Sequence, residues 1–319
     1  MSAETSAGIF LFSLAMLLAM PVVQAHYVSS DDLNPDYYTA FSFYPSEPPI
    51  TSEETKVRID LYNATSGASL TDLNTVHEKK MHVFIVGQDL NEFTHTHPDD
   101  YPNGTIGADM GAYEVLHNFT KSGKYLIMSD YTVGGTNVVK KSVFEVSGSE
   151  QMGSITDEFY DGSAGYSAML SSDGPIEVGR ESAITIDIMK DGVPIRDLQM
   201  YLGSEMHVFI VKYDLSKAGH THAYRPGHNM HFGNMSQVYY GPTVPIRYNF
   251  QDSGRYAMFV MFKHDGNVIT KRLFVDVGYS PIGYLFVYGL YGLIAVFAAF
   301  MFRDEIVGFF RKIMKRPND

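Results

Sequence analysis

Alternating hydrophobic and polar residues recur along most of the chain and predict β-strands. Two segments show the pattern clearly, with apolar residues at every second position: Val57, Ile59 and Leu61, and Ile184, Ile186 and Ile188. Ser-Gly, Gly-Gly, Asp-Gly and Asn-Gly pairs mark turns between such segments. The spacing predicts an all-β fold built from units of about 100 to 120 residues, the size of antiparallel sandwiches of the immunoglobulin or cupredoxin type.

One stretch of the sequence occurs twice. Residues 81–86 read MHVFIV and residues 206–211 repeat them, and each copy is followed at identical spacing by Asp-Leu and then His-Thr-His. Farther along, residues 119–146 align without gaps to residues 250–277. The duplication predicts two tandem β-sandwich domains, at 26–147 and 176–278, joined by a Gly-, Ser- and Asp-rich linker at 148–175.

An apolar segment lies near each end of the chain. Residues 8–23 lead to Val23-Gln24-Ala25, which has small residues where signal peptidase would cut, so a signal peptide is predicted at 1–25, with an uncleaved helix as the alternative. Residues 281–302 carry no charge and precede a basic segment at 303–319. A helix of that length covers about 33 Å, which predicts a single transmembrane helix with a cytoplasmic tail and both domains outside the cell membrane.

Composition excludes several classes of function. The net charge of -12 argues against a nucleic-acid partner, because phosphate binding requires clustered Lys and Arg. The chain has no cysteine, which excludes disulfides, thiolate metal sites and cysteine nucleophiles. The 12 His and 17 Met are therefore the residues from which a site for a soft metal could be built.

Each repeat carries three histidines at the same spacing. Residues two apart on an extended segment point to the same face, so the two histidines of each His-Thr-His could hold one ion. The third histidine lies in a strand that is apolar on both faces, where a buried imidazole needs a partner. The alternative is that these strand histidines only hydrogen-bond to backbone. The predicted triads are His82, His95 and His97, and His207, His220 and His222.

The repeats differ in the residues that could complete a site. The first adds His77 and His117, where the second has Leu202 and Tyr248. Imidazole alone suits Cu(II) or Zn(II), whereas thioether with imidazole suits Cu(I), so the mixed residues of the second repeat favour copper over zinc as the metal ion. The additional candidate ligands of that repeat are His264 and, in an insertion, His228, Met230 and His231.

A further candidate ligand is His26. Cleavage after Ala25 would make it the mature N-terminus, and its amine and imidazole could then bind copper together as a histidine brace. A histidine without a role in metal binding is the alternative.

The histidine motifs resemble those of a family of secreted bacterial proteins. Residues 76–86, VHEKKMHVFIV, and FTHTHP at 93–98 are similar to YtkA-like domains, and FKHDG at 262–266 resembles the companion domain of two-domain members. The resemblance covers residues 51–277. It implies an extracytoplasmic immunoglobulin-like module related in shape to copper-resistance proteins of the CopC type, with metal binding and no established reaction. Two features depart from the family pattern. Ala223 stands where the pattern has proline, and the C-terminal span is an addition.

Three functions agree with these observations. The first is a membrane-anchored protein that captures, buffers or delivers a metal ion, with a membrane or metal-transport protein as its partner. The second is a structural or adhesive cell-surface protein whose histidines stabilise strands. The third is a copper oxidoreductase that uses a His26 brace. No catalytic residue is predicted, because no substrate pocket or acid–base pair can be read from the sequence.

Overall fold

The computed structural model describes residues 28–29, 34–105, 107–159, 162–223 and 240–303. The first domain has two short 3-10 helices, Pro98–Asp100 and Ala108–Met110. A short strand, β1 (Val28–Ser29), precedes it. The strands of the first domain are β2 (Tyr37–Tyr44), β3 (Glu54–Asn63), β4 (Leu73–Asn74), β5 (Met81–Gly87), β6 (Phe93–Thr96), β7 (Ala112–Asn118), β8 (Gly123–Val133) and β9 (Thr136–Val146).

The second domain repeats this order of strands. One helix, α1 (Pro281–Met301), follows it. The strands of the second domain are β10 (Tyr166–Ser172), β11 (Glu181–Lys190), β12 (Val193–Pro194), β13 (His207–Lys212), β14 (Ala218–His222), β15 (Thr243–Asn249), β16 (Gly254–His264) and β17 (Asn267–Val277). The prediction of two mostly-β repeats is confirmed.

Each domain is a sandwich of an outer and an inner sheet. In the first domain the outer sheet has the order β2-β3-β7, and the inner sheet β4-β8-β5-β6 with β9 on the far side of β8. In the second domain β11 pairs with β10, β12 and β15, and the inner sheet has the order β14-β13-β16-β17. The short β1 extends the inner sheet of the second domain by pairing with β14.

The alternating pattern of β3 faces one apolar core. Val57, Ile59 and Leu61 are completely buried between the two sheets of the first domain, whereas their neighbours in sequence reach the surface or lie near it. β11 behaves the same way in the second domain. Period-two patterning is therefore sufficient to place the outer sheets on their cores.

β5 and β13 are buried on both faces, because the inner sheets of the two domains pack against each other. Met81, Val83 and Ile85 point into the core of the first domain. Phe84 and Val86 point the other way, into a third core between the domains. This interdomain core also contains these residues of the second domain: Phe209, Val211, Leu215, Ala218, Ala257, Phe259 and Met261.

Equivalent residues of the two repeats contact each other at the interface. Phe84 stacks on Phe209, and the ring centroids of His82 and His207 are 5.8 Å apart. A second pair of contacts is reciprocal. Arg272 of the second repeat donates to the carbonyl of Leu90 and to the side chain of Asn91 in the first. Lys141 occupies the position of the first repeat that matches Arg272. It donates to the carbonyl of Ser216, the residue of the second repeat that matches Asn91. An approximate two-fold axis therefore relates the two inner sheets, as in an isologous dimer interface.

The segment between the domains covers one side of this interface. Ile155 and Phe159 pack against the interdomain core, and the Arg272 guanidinium lies 5.2 Å from the ring centroid of Phe159. Arg272 also donates to the carbonyl of Glu158. β10 begins at Tyr166, inside the interval 148–175 predicted as a linker, so regular structure of the second domain begins within that interval.

The ends of the chain are described only in part. α1 lies where the sequence predicts a helix. Within the part of the chain that the structure describes, no helix combines the length and apolarity needed to cross a membrane. The predicted signal peptide at 1–25 and residues 304–319 of the predicted tail lie outside the described residues.

Candidate metal centre

Seven histidines come together at one end of the domain interface. His82 lies on β5 and His207 on the matching strand β13. The second His-Thr-His lies on β14, and the first lies on β6 except for His97, which directly follows that strand. His207 pairs directly with His222. His77 completes the set from the turn that precedes β5. Strand pairing thus places the three sequence-predicted histidines of each repeat side by side.

In the first triad three ring nitrogens point at a common position. His82 Nδ1 is 3.1 Å from His95 Nε2 and 3.2 Å from His97 Nε2, and the two Nε2 atoms are 3.1 Å apart. His82 and His97 are buried and His95 is partly exposed. The three side chains could together hold a metal ion.

The outer nitrogens of the triad determine which inner nitrogens carry lone pairs. His82 Nε2 donates to the carbonyl of Val76 at 3.3 Å, so its Nδ1 is an acceptor. His97 Nδ1 donates to Asp100 Oδ2 at 2.6 Å, so its Nε2 is also an acceptor. Among the residues that the structure describes, only His95 is placed to supply a proton to the space between them, and one proton cannot satisfy both lone pairs. The arrangement is therefore suited to a cation.

Burial keeps the imidazoles of this triad neutral. It lowers the pKa of His82 and of His95 well below 6.5, and the neighbouring histidines lower both further. Burial also lowers the pKa of His97, although the hydrogen bond to Asp100 acts in the opposite direction. Neutral imidazole is the form that binds metal ions.

The second domain repeats part of this arrangement. His207 Nδ1 lies 3.2 Å from His220 Nε2, and His207 Nε2 donates to the carbonyl of Tyr201 at 3.0 Å, the position that matches Val76. His220 Nδ1 donates to Asp130 Oδ2 of the first domain at 3.0 Å. A carboxylate of one domain therefore orients a histidine of the other.

His77 joins the second set of histidines, not the first. Its ring stacks on that of His222 with centroids 3.7 Å apart and lies 5.5 Å from the ring of His207. One nitrogen of each of these three side chains lies within 4.8 Å of the others, so they form a second group that could hold a metal ion. The sequence predicted His77 as an addition to the first triad, because a repeat read by itself shows no contact with the other repeat.

The two groups are neighbours. The ring of His82 lies 5.3 Å from that of His220 and 6.4 Å from that of His77. Tyr201 lies at the edge of both groups, 5.2 Å from the ring of His207 and 6.2 Å from that of His95. The centre is therefore one continuous cluster shared by both domains.

Two other predicted ligands lie elsewhere. His117 is on β7 in the outer sheet, with its ring 4.5 Å from Phe119 and its buried Nε2 without a hydrogen-bond partner among the described residues. Burial lowers its pKa to about 4. His264 ends β16 and bonds to the Tyr166 hydroxyl and to Asp197. The remaining predicted ligands lie outside the described residues: His26, His228, Met230 and His231.

Two carboxylates of the centre were not singled out as functional residues from the sequence. Asp100 accepts a hydrogen bond from His97, three residues before it. Asp130 faces His82 across the strand pair, where the second repeat has Met261 facing His207. The sequence did contain a signal for Asp130. It is a charged residue in a mostly apolar strand, at a position where the second repeat has Met261.

The two domains correspond to a known family. Residues 41–148 and 161–278 each match the model of a family described as a domain of unknown function, DUF8832. The chain belongs to the DUF8832 family. The two DUF8832 segments contain all seven clustered histidines and both sandwiches except for the first four residues of β2. The resemblance to YtkA-like and CopC-like proteins stays a prediction from the sequence.

Comparison with other proteins adds only distant similarities. No curated protein matches the chain. Trypsin-activated α2-macroglobulin of Escherichia coli is similar over 78% of this chain and 17% of its own, with 11% identity and a TM-score of 0.22. A mutant Salmonella α2-macroglobulin is similar over 82% and 16%, with 12% identity and a TM-score of 0.22. Parabacteroides merdae β-glucuronidase is similar over 75% of this chain and 24% of its own, with 12% identity and a TM-score of 0.17.

Proposed function

We propose that this DUF8832 protein binds a metal ion through His82, His95 and His97 and serves to capture, buffer or deliver it. The observation that supports this most directly is the meeting of three ring nitrogens 3.1–3.2 Å apart. Metal–nitrogen bonds of about 2.0 Å in tetrahedral geometry place ligand nitrogens about 3.3 Å apart. The observed spacing is therefore close to that of a site for one ion.

The hydrogen bonds around the triad support the same conclusion. Metal-binding histidines almost always donate their other ring N–H to a carboxylate or a backbone carbonyl, which fixes the tautomer and the ring. His97 donates to Asp100 and His82 to the carbonyl of Val76. Histidines that only fill a core need no such convergence of acceptors.

Copper is the ion we propose, with zinc as the alternative. The clustered imidazoles suit Cu(II) or Zn(II). The preference for copper comes from the sequence, in which the Met- and His-rich insertion of the second repeat would also suit Cu(I). The resemblance to CopC-type immunoglobulin-like modules supports the same metal.

The proposed location is the outer face of a cell membrane. Residues 281–302 carry no charge, and α1 exposes large apolar side chains, including Leu285, Leu293 and Phe300. In this arrangement a membrane transport protein would exchange the ion with the domains. Alkaline carbonate extraction of membranes from expressing cells should leave the chain in the pellet, and protease added to intact cells should cleave both domains. Release by carbonate would contradict the anchor.

Metal titration of the full-length chain in detergent tests the central proposal. We expect stoichiometric binding of Cu(II) or Zn(II) that weakens at least tenfold in each of His82→Ala, His95→Ala and His97→Ala. His264→Ala is the matched control, because His264 lies outside the cluster, and it should bind like the parent. Absence of binding to the parent chain, or equal binding by all four variants, would overturn the proposal.

A structural role for the histidines is the competing function. It is supported by the position of His82 and His207, whose rings are 5.8 Å apart within the packed domain interface. In that case the histidine variants would lower thermal stability equally with and without metal. A copper oxidoreductase with a His26 brace is tested by N-terminal sequencing of the mature protein, because any start other than His26 removes the brace.

A further inference from the structure

We propose that His77 of the first domain and His207 and His222 of the second hold a second metal ion, which forms a pair with the first and locks the two domains together. This inference rests on the proposed function of the first triad. One nitrogen of each of the three side chains lies within 4.8 Å of the other two.

The nitrogen atoms of this group are suited to a cation. His207 Nε2 donates to the carbonyl of Tyr201, so its Nδ1 is an acceptor directed into the cluster. His222 Nε2 is buried and has no hydrogen-bond partner among the described residues. A buried ring nitrogen without a partner is costly, and binding of an ion would remove that cost.

The backbone at His77 shows that the histidine is not required for the turn itself. His77 has a φ of 50°, and Leu202, its equivalent in the second repeat, has a φ of 48°. The same left-handed turn therefore forms with leucine. What His77 adds is an imidazole that reaches the other domain and stacks on His222.

Two carboxylates near the histidine groups would partly offset the charge of two ions. Asp100 accepts from His97 beside the first triad, and Asp130 accepts from His220, which contacts His207. Asp130 is itself held by the Asn137 side chain at 2.7 Å. The first triad thus has a carboxylate directly behind His97, whereas the second group has one only through His220, which lies beside His207. Asp130 belongs to the domain opposite the histidine that it orients.

The groups are close enough for the two ions to interact. His82 of the first triad lies 5.8 Å from His207 and 6.4 Å from His77, measured between ring centroids. With the rings of the two groups this near each other, two Cu(II) ions would couple magnetically. Because one group takes ligands from both domains, its ion would resist separation of the domains.

The test compares the parent full-length chain with His77→Leu. This substitution copies Leu202, so the turn is retained. We expect two Cu(II) per parent chain with the electron paramagnetic resonance signal of a coupled pair, and one Cu(II) per His77→Leu chain with the signal of an isolated ion. His117→Tyr, which likewise copies the second repeat through Tyr248, should keep two ions.

A second variant and a stability measurement complete the test. His222→Gln should also bind one ion, and metal should raise the melting temperature of the parent chain more than that of either variant. One ion in the parent with no change in His77→Leu, or two ions in both, would overturn the inference and leave the first site intact. Failure of the parent to bind any ion would overturn the proposed function as well.

Discussion

Phe84 and Phe209 occupy equivalent positions of the two repeats and stack on each other across the domain interface, with ring centroids 4.8 Å apart and ring planes 13° apart. Two residues earlier on the same strands, His82 and His207 face each other in the same way. One set of contacts thus joins the apolar interdomain core to the histidine cluster. Changes to that core should therefore reach the cluster.

Replacement of Phe84 tests how much the stacking contact in that core contributes to stability. Phe84→Ala removes a completely buried ring, and such a change costs about 3–5 kcal/mol. Phe209→Ala should cost a similar amount, and the double variant should lose less than the sum, because both substitutions remove the same stacking contact. Denaturant unfolding of the full-length chain measures these values. Val143→Ala, at a half-exposed position, is the control and should change stability little.

Asp100 should set the affinity of the first triad without binding the ion. Asp100→Asn weakens the acceptor for His97 Nδ1, and loss of such a partner typically lowers metal affinity 10- to 100-fold. Metal competition titration would measure the change. Asp99→Asn removes the neighbouring carboxylate, which makes no hydrogen bond to His97, and should leave affinity within about twofold. Equal effects of the two variants would show that general charge, not orientation of His97, controls binding.

Asp130 should stabilise the domain interface through His220. Asp130→Asn retains an oxygen that can accept from His220 Nδ1, whereas Asp130→Met, which copies Met261 of the second repeat, does not. An unsatisfied buried N–H costs about 1–3 kcal/mol, so Asp130→Met should be the less stable variant by that amount. Thermal unfolding of the metal-free protein would measure it. Equal stability of the two variants would exclude a role for the hydrogen bond.

His117 should make part of the stability of the chain depend on pH. Burial lowers its pKa from 6.5 to about 4, so between these values the unfolded chain binds the proton and the folded chain does not. Stability is then fully present above pH 6.5 and is lost as the pH falls towards 4, by up to about 3 kcal/mol. The difference in unfolding free energy between the parent and His117→Tyr, measured from pH 7 to pH 4, isolates this contribution. A difference that does not change with pH would contradict it.

Local patterns were sufficient for the strands and for the first triad. Period-two spacing places His95 and His97 on one face, and the repeat indicates that His82 belongs with them. The packing of the two domains against each other could not be predicted from local patterns, because it depends on which sheet faces are apolar and on how their shapes match. MHVFIV signals burial on both faces, but nothing in a single strand shows that its second cover is the other copy. The sequence therefore assigned His77 to the wrong group and did not reveal the role of Asp130, because both residues act across the domain interface.

The interface between the repeats resembles that of a symmetric dimer, yet its two halves are encoded separately. In a true dimer every substitution appears on both sides of the axis at once. In a single chain, one side can change alone, as His77 opposite Leu202 and Asp130 opposite Met261 illustrate. Covalent fusion thereby allows a symmetric interface to contain an asymmetric histidine cluster. One domain supplies His77 from a turn, and the other domain supplies His207 and His222, which His77 contacts.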